Sequence, residues 1–571
     1  MRNISRLFVL TIFLFIHPDA YSQQFSGRQL EQTVFKAIAK AYPASVRIWG
    51  FDTVSKQQMS AQFSGVVVTQ EGYILTAAHV TIPGKTYQVT FPDGRKCIAV
   101  ALGKIEYADD KTIPDVALMK IITKGNWPHA EMGISSTLKE YEPCLSIAYP
   151  ESLNQARPTV RFGWVTRATN QRGFVQSTCK MEPGDSGGPL FDELGRVIAL
   201  HSAIEVPEDL NYEIPVDLYK KYWTALNKPQ IYTRLPDTAD LIKDERPIRK
   251  VLTVPGLKHL NANFADISSH FKKSSIYITV SDNGKQQRVV GTLFSLSGLA
   301  FSKNVKNQSV IVGKNSLIGY GPLFVLVGNK RIQAKVLTRD KQNDLVLLRP
   351  YIEINGGIEL KTIDHDPADI KPGKFLLSLL PDTAGIASVA GSNLFSIAKI
   401  SSNGFLGAAI AYQDGPLLLT RIQPNSPASE SGLQIADEVL FINGIEMRKA
   451  EDYGKVLQKY WPGDTVRLQM RRGGAAFEKK VVLGLMPSPK VNHPAELFNG
   501  GKSIRRDGFE KVFSHDAILQ ADQCGGPVFD LYGHLCGLNI ARFSRASCLT
   551  LPTNCIYQFI DHYFSMKALM R

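Results

Sequence analysis

One six-residue phrase occurs twice in this chain, and its recurrence constrains the fold more than any other feature. Gly187-Gly188-Pro189-Leu190-Phe191-Asp192, with Gly195 beyond it, returns as Gly525-Gly526-Pro527-Val528-Phe529-Asp530, with Gly533 at the same offset. Upstream, Pro114-Asp115-Val116-Ala117-Leu118 returns as Asn343-Asp344-Leu345-Val346-Leu347, and Gly72-Tyr73-Ile74-Leu75 returns more loosely as Gly298-Leu299-Ala300-Phe301. An ordered set of matches at long period means two copies of one scaffold. The copies differ in spacing: 71 residues separate Asp115 from Ser186, whereas 180 separate Asp344 from Cys524. The excess is enough for a small extra domain.

Each copy reads as short β-rich runs between turn signals such as Pro92-Asp93-Gly94, the pattern of sandwiches and barrels. In the first copy the runs include Val46–Trp49, Gly65–Thr69, Tyr73–Thr76, Val116–Ile122, Thr159–Thr166 and Val197–Ser202. A helix is predicted ahead of them, with Leu30, Val34, Phe35, Ile38 and Ala41 at helical spacing and Pro43 as the stop. A polar connector runs from about Lys228 to Thr253. The first residues read as a secretory signal: Arg2 and Arg6, an apolar run from Leu7 to Ile16, and Ala20-Tyr21-Ser22 before a cut ahead of Gln23. The formal charge of +14 favours anionic surfaces and substrates, but no basic run or motif points to nucleic acid. Seven cysteines, an odd number, leave at least one thiol free, and Cys548 and Cys555 lie within reach of local pairing. No Cys/His spacing suggests a metal site, and no cofactor is expected.

The first copy carries the residues of nucleophilic acyl transfer. A serine hydroxyl needs an imidazole to take its proton and a buried carboxylate to hold that imidazole. Thr76-Ala77-Ala78-His79 ends a β-run, Asp115 opens another, and Gly184-Asp185-Ser186-Gly187-Gly188-Pro189 supplies a nucleophile in a glycine-rich turn. There the amides of Gly184 and Ser186 are candidates for an oxyanion hole. These three segments, in the order His–Asp–Ser, resemble the trypsin-like serine proteases, and the wording around His79 is similar to the bacterial HtrA/DegP group.

The resemblance covers about Ser45 to Trp223. It implies two six-stranded β-barrels with the site between them, and catalysis by His79, Asp115 and Ser186. Asp185 departs from the HtrA pattern, which has Asn there. In the wider family that Asp pairs with a new N-terminus, and here Lys180 or Arg172 is the candidate partner. By the same resemblance Lys180 and His201 map near the pocket for the residue before the cut, which suggests acceptance of acidic or polar side chains.

The second copy keeps the scaffold and loses the base. Cys524 replaces the serine, no histidine occurs between His270 and His365, and Ser302, Lys303 or Asn304 occupies the expected neighbourhood. Asp344 is left without an imidazole, so this copy reads as inactive; a cysteine peptidase using His270 or His515 is the competing reading. The extra segment, about Gly404 to Leu485, resembles a PDZ domain. Phe405-Leu406-Gly407-Ala408 looks like its carboxylate-binding loop, followed by Pro424–Ala428, Gly432-Leu433 and Asp437–Gly444. It falls where the first copy has Ala168–Arg172.

The expectation is a mainly β chain with two trypsin-like double barrels, the second inactive and interrupted by a PDZ domain. Its parts are a signal peptide (1–22), helix (23–43), active domain (44–226), linker (227–262), inactive domain (263–402 and 497–571) and PDZ domain (403–487). The resemblance implies a secreted, periplasmic serine endopeptidase acting on proteins, unfolded ones among them. It also implies that the PDZ domain binds peptide C-termini, and it leaves homo-oligomers open. The alternative is a non-catalytic, chaperone-like or peptide-binding scaffold.

Overall fold

Strand Ser45–Asp52 pairs on one side with Phe63–Val67 and on the other with Thr86–Thr90, and following these pairings leads around a ring. The ring continues through Tyr73–Ala77, Val116–Ile121 and Lys96–Ile105 and returns to Thr86–Thr90, a closed six-stranded barrel. The computed structural model describes residues 27–107, 115–241, 255–282, 285–299, 302, 305–360, 370–411, 415–487 and 492–569. The signal-peptide reading lies outside them. Among the described residues no helix is long and apolar enough to cross a membrane.

A second closed barrel follows, built from Pro143–Ala148, Thr159–Arg167, Val175–Ser177, Asn211–Pro215, Val197–Ile204 and Pro189–Phe191. Strand Phe63–Val67 is buried at every position, because one face fills its barrel and the other meets the second barrel.

The same circuit recurs downstream. Ser275–Asp282, Lys285–Ser295, Ser309–Lys314, Leu345–Pro350, Lys330–Asp340 and Leu323–Val327 pair in that order and close. The last sheet runs Ile386–Val389, Phe375–Ser378, Pro527–Asp530, Leu535–Arg542, Cys548–Pro552, Phe509–His515 and Phe395–Ile397. A bridge between Ala390 and His515 brings its edges together. The chain therefore contains several barrels and is mainly β. The 404–483 segment leaves this sheet after Phe395–Ile397 and returns at Phe509–His515, and those two strands pair with each other. It has its own apolar core, including Leu406, Val439, Ile442, Val456, Leu468 and Val481. Trp461 anchors it: Lys399 Nζ lies 3.6 Å and the Arg505 guanidinium 3.4 Å from the indole ring.

Two helices introduce the two pairs of barrels. Gly27–Ala41 buries Leu30, Val34, Ala37, Ile38 and Ala41 and enters Ser45–Asp52 through a short 3₁₀ turn. Pro255–Phe271 enters Ser275–Asp282 in the same way, burying Leu260, Phe264 and Ile267. This second helix begins inside the stretch read above as a linker. The polar residues around it masked a stripe at spacing four and three. The two helices also touch: Gly27 N–H donates to Asn263 Oδ1 at 3.1 Å. The units are joined elsewhere as well. Val160 N–H donates to the Gly391 carbonyl at 2.9 Å, and one half-buried carboxylate, Asp516, accepts from Phe162 N–H at 2.9 Å and Val389 N–H at 2.7 Å.

The cysteines are all free, so Cys548 and Cys555, within reach of local pairing in the sequence, are not paired. Cys548 opens a buried strand and turns its thiol to the Ala517 carbonyl, while Cys555 lies on the helix Thr553–Leu569.

Candidate active site

His79 sits on the turn that ends strand Tyr73–Ala77, and Asp115 immediately precedes strand Val116–Ile121. The two strands pair with Ala77 opposite Val116, so backbone register alone brings the residues together. Ala78 N–H donates to the Asp115 carbonyl at 3.2 Å and His79 N–H to Asp115 Oδ1 at 2.7 Å. The imidazole Nδ1 is hydrogen-bonded to Asp115 Oδ2, which also accepts from Ser202 Oγ at 2.9 Å. With Nδ1 engaged, Nε2 is the nitrogen left to exchange a proton. Burial works against charge on His79, but the hydrogen bond and charge of Asp115 outweigh it and raise the imidazole pKa. Burial likewise opposes ionisation of Asp115, and the bonds from His79 and Ser202 overcome it, holding the carboxyl below its usual range.

Ser186 enters from the second barrel. Its carbonyl accepts from Ser64 N–H at 2.9 Å, on the strand next to Tyr73–Ala77. Gly187 N–H donates to the His201 carbonyl at 2.7 Å, and Ser202, the next residue, touches Asp115. The Ser186 turn and the His79–Asp115 pair are thus tied together within two hydrogen-bonding steps. The turn demands glycine. At Gly184 φ is +95°, and a Cβ would lie 2.5 Å from Glu151 N; at Gly187 φ is +75°, and a Cβ would lie 2.0 Å from Thr76 Oγ1.

Asp185 finds a partner that sequence reasoning missed. It is fully buried against Arg161, with Nη1–Oδ2 at 2.8 Å and Nη2–Oδ1 at 3.4 Å, and Oδ2 accepts from Glu182 N–H at 2.9 Å. This corrects the candidates Lys180 and Arg172: Lys180 pairs with Glu208 at 2.9 Å, and Arg172 faces Glu205 at 3.6 Å. The signal lay in strand Thr159–Arg167, where Arg161 occupies a buried position. Burial pushes Asp185 up to about 6 even though the Arg161 charge pulls the other way.

The two pocket candidates are not alike. Lys180 is nearly buried, and desolvation lowers its ammonium to about 8 against the opposing pull of Glu208. His201 is fully buried, with Nε2 hydrogen-bonded to Ser146 Oγ at 2.6 Å, and burial lowers it to about 3. A neutral, enclosed imidazole held by a hydroxyl is a wall of the barrel.

The downstream barrels repeat these contacts with other side chains. Asn315 N–H donates to the Asp344 carbonyl at 2.8 Å, Ser316 N–H to Asp344 Oδ1 at 2.8 Å, and Ser316 Oγ to Asp344 Oδ2 at 2.8 Å. The position equivalent to His79 is therefore Ser316, which corrects the neighbourhood Ser302–Asn304. Matching Gly298 to Gly72 misplaced it, because the equivalent strand is Ser309–Lys314. Lys314, buried, fills the space with Nζ 2.6 Å from Asp344 Oδ2 and 2.6 Å from the Ile540 carbonyl. Cys524 is fully buried, which pushes its thiol up to about 12. His515 is buried beside Ser388 at 3.3 Å, and His270 lies exposed on a helix.

In the 404–483 segment, Phe405 and Gly484 exchange backbone hydrogen bonds of 2.9 and 2.8 Å. Gly407 has φ +81°, where a Cβ would meet Ser426 Cβ at 2.2 Å, and Tyr453 OH donates to the Ala408 carbonyl at 2.8 Å.

Comparison with known proteins finds two family matches. Residues 63–200 match the trypsin-like peptidase domain, and residues 404–483 match the PDZ domain. The chain thus carries a trypsin-like peptidase domain and a PDZ domain. Similar curated proteins include the putative protease Do-like 14 of Arabidopsis thaliana, 26% identical over 48% of this chain and 71% of that protein. The putative serine protease HhoA of Synechocystis is 31% identical over 37% and 49%, and the serine endoprotease DegS of Escherichia coli 27% over 38% and 60%. Among solved structures, the HtrA-type protease AlgW with decapeptide aligns over 80% of this chain and 99% of its own, at 16% identity and a TM-score of 0.28. The chain spans from about half to 71% of the length of these curated relatives. The chain thus resembles HtrA-type trypsin-like serine proteases that carry a PDZ domain.

Proposed function

We propose that the chain hydrolyses peptide bonds of proteins through Ser186, His79 and Asp115, and that it does so outside the cytoplasm. The observation that carries this reading is the Asp115 carboxylate, which grips His79 through both its backbone N–H and its Nδ1. In the reaction, Ser186 Oγ attacks the scissile carbonyl and His79 Nε2 takes its proton, then returns it to the leaving amine. Asp115 keeps the tautomer and stabilises the imidazolium. The Gly184 and Ser186 amides receive the oxyanion. The signal-like start, Arg2 to Ser22, supports secretion to a periplasm-like compartment.

The downstream barrels act as a second trypsin-like unit without chemistry. The support is the replacement of His79 by Ser316 and the filling of the Asp344 neighbourhood by the Lys314 ammonium. The inserted PDZ domain binds peptide C-termini at Phe405, Leu406, Gly407 and Ala408, with the peptide added as a strand. Ser186→Ala tested on unfolded casein decides the central claim. Loss of cleavage by about 10³-fold or more is expected; equal cleavage by the variant, or none by the wild type, favours a scaffold role instead.

A further inference from the structure

Three segments pack into one wall beside Ser186: Ser177–Met181, the end of strand Val197–Ile204, and Glu208–Glu213. Ser177 Oγ donates to Glu213 Oε1 at 2.6 Å, Asn211 Nδ2 to the Ser177 carbonyl at 3.4 Å and the Glu208 carbonyl at 3.0 Å, and Met181 N–H to Asn211 Oδ1 at 3.4 Å. The wall starts nine residues before Ser186 and includes the strand that carries Ser202, so it flanks the reacting bond.

A carboxylate bridges two cations on this wall, and one of them comes from the downstream unit. Glu208 Oε1 accepts from Lys180 Nζ at 2.9 Å and from Arg542 Nη2 at 3.0 Å. Of the three side chains Glu208 is the most open to solvent, at 16% against 8% for Lys180 and 1% for Arg542. The loop that carries it is held by the same unit, because Arg545 donates to the Glu205 carbonyl at 2.6 Å and the Pro207 carbonyl at 3.0 Å. Arg542 and Arg545 brace each other through the Arg545 carbonyl, 2.6 Å from Arg542 Nη2.

We propose that Glu208 is a specificity gate: an internal carboxylate that occupies the cationic end of the substrate wall and keeps acidic side chains out. Arg542 makes the downstream unit part of that gate. Two buried cations share one carboxylate, so removing its charge leaves both wanting an anion. A substrate carboxylate on the residue before the cut is the group that fits. The inference rests on the protease reading and revises the pocket for acidic or polar residues suggested by Lys180 and His201: in the native chain an acid is already there.

The test uses the full chain and two fluorogenic peptides that differ only in Glu or Gln before the cut. Glu208→Gln is expected to raise the Glu-to-Gln ratio of kcat/KM by about tenfold or more, because a site with unpaired buried polar groups discriminates strongly. Lys180→Met added to that variant should abolish the gain. A ratio that stays within about twofold of wild type overturns the proposal. If Glu208→Gln misfolds, Glu208→Asp, too short to span both cations, must still raise the ratio. Cleavage of the Gln peptide with no change in ratio sinks only this inference; a wild type inert on casein and both peptides sinks the protease reading with it.

Discussion

Arg161 lays its guanidinium against both oxygens of Asp185, the residue before Ser186, and neither side chain meets solvent. The pair holds the Ser186 turn from beneath. On either side of Arg161, the backbone N–H groups of Val160 and Phe162 bind the Gly391 carbonyl and Asp516 of the downstream unit. The strand that positions the turn is therefore itself positioned by the second pair of barrels.

Breaking this pair should hurt turnover more than binding. Arg161→Met leaves a buried carboxylate unpaired, at a cost of about 3–5 kcal/mol in stability, read by chemical denaturation. At temperatures where the variant stays folded, kcat should fall by about tenfold or more while KM changes little. Asp185→Asn in the same background should restore part of kcat, since the amide needs no counter-charge.

Activity should show an acid limb set by His79. The imidazole must be neutral to accept the Ser186 proton, and Asp115 raises its pKa, so kcat/KM should rise through a value above the ordinary histidine range of about 6.5. Asp115→Asn should move that limb to lower pH and cut kcat on the order of 10⁴-fold. A limb that stays in place would show that another group titrates.

Stability should decline as pH rises from about 4 to 6. Asp185 and Asp516 are both pushed up to about 6, chiefly by burial. The folded state therefore binds protons more tightly than the unfolded one across that window, and stability present below the unfolded value is lost as pH passes the folded one. Asp516→Asn should flatten the decline in urea titrations at successive pH values.

Tyr453 should compete with peptide ligands of the PDZ domain. Its hydroxyl already occupies the Ala408 carbonyl, on the strand to which an incoming peptide would add. Tyr453→Phe removes the competitor and should tighten binding of a free C-terminal peptide by up to about tenfold, the worth of one hydrogen bond. An amidated peptide measured by calorimetry should bind weakly to both forms.

Much of the molecule was legible in the residues themselves. His79, Asp115 and Ser186 stand in local phrases whose turns and strand ends are short-range properties. The repeated Gly-Gly-Pro phrase announced two copies because close backbone approach at Gly187 and Gly525 tolerates no side chain. The helix Pro255–Phe271 escaped notice because its buried stripe of Leu260, Phe264 and Ile267 is interleaved with polar residues.

Partners distant in sequence were decided only by the tertiary structure. Nothing near Asp185 marks Arg161 as its counter-ion, and nothing near Lys180 marks Glu208 or Arg542, 362 residues away. The sequence by itself determined which groups are chemically able to act, since glycine turns, strand periodicity and nucleophile type are local. Folding decided which charges are buried together. Pairing in a low-dielectric interior depends on barrel register and on how two units dock, and no local pattern encodes either.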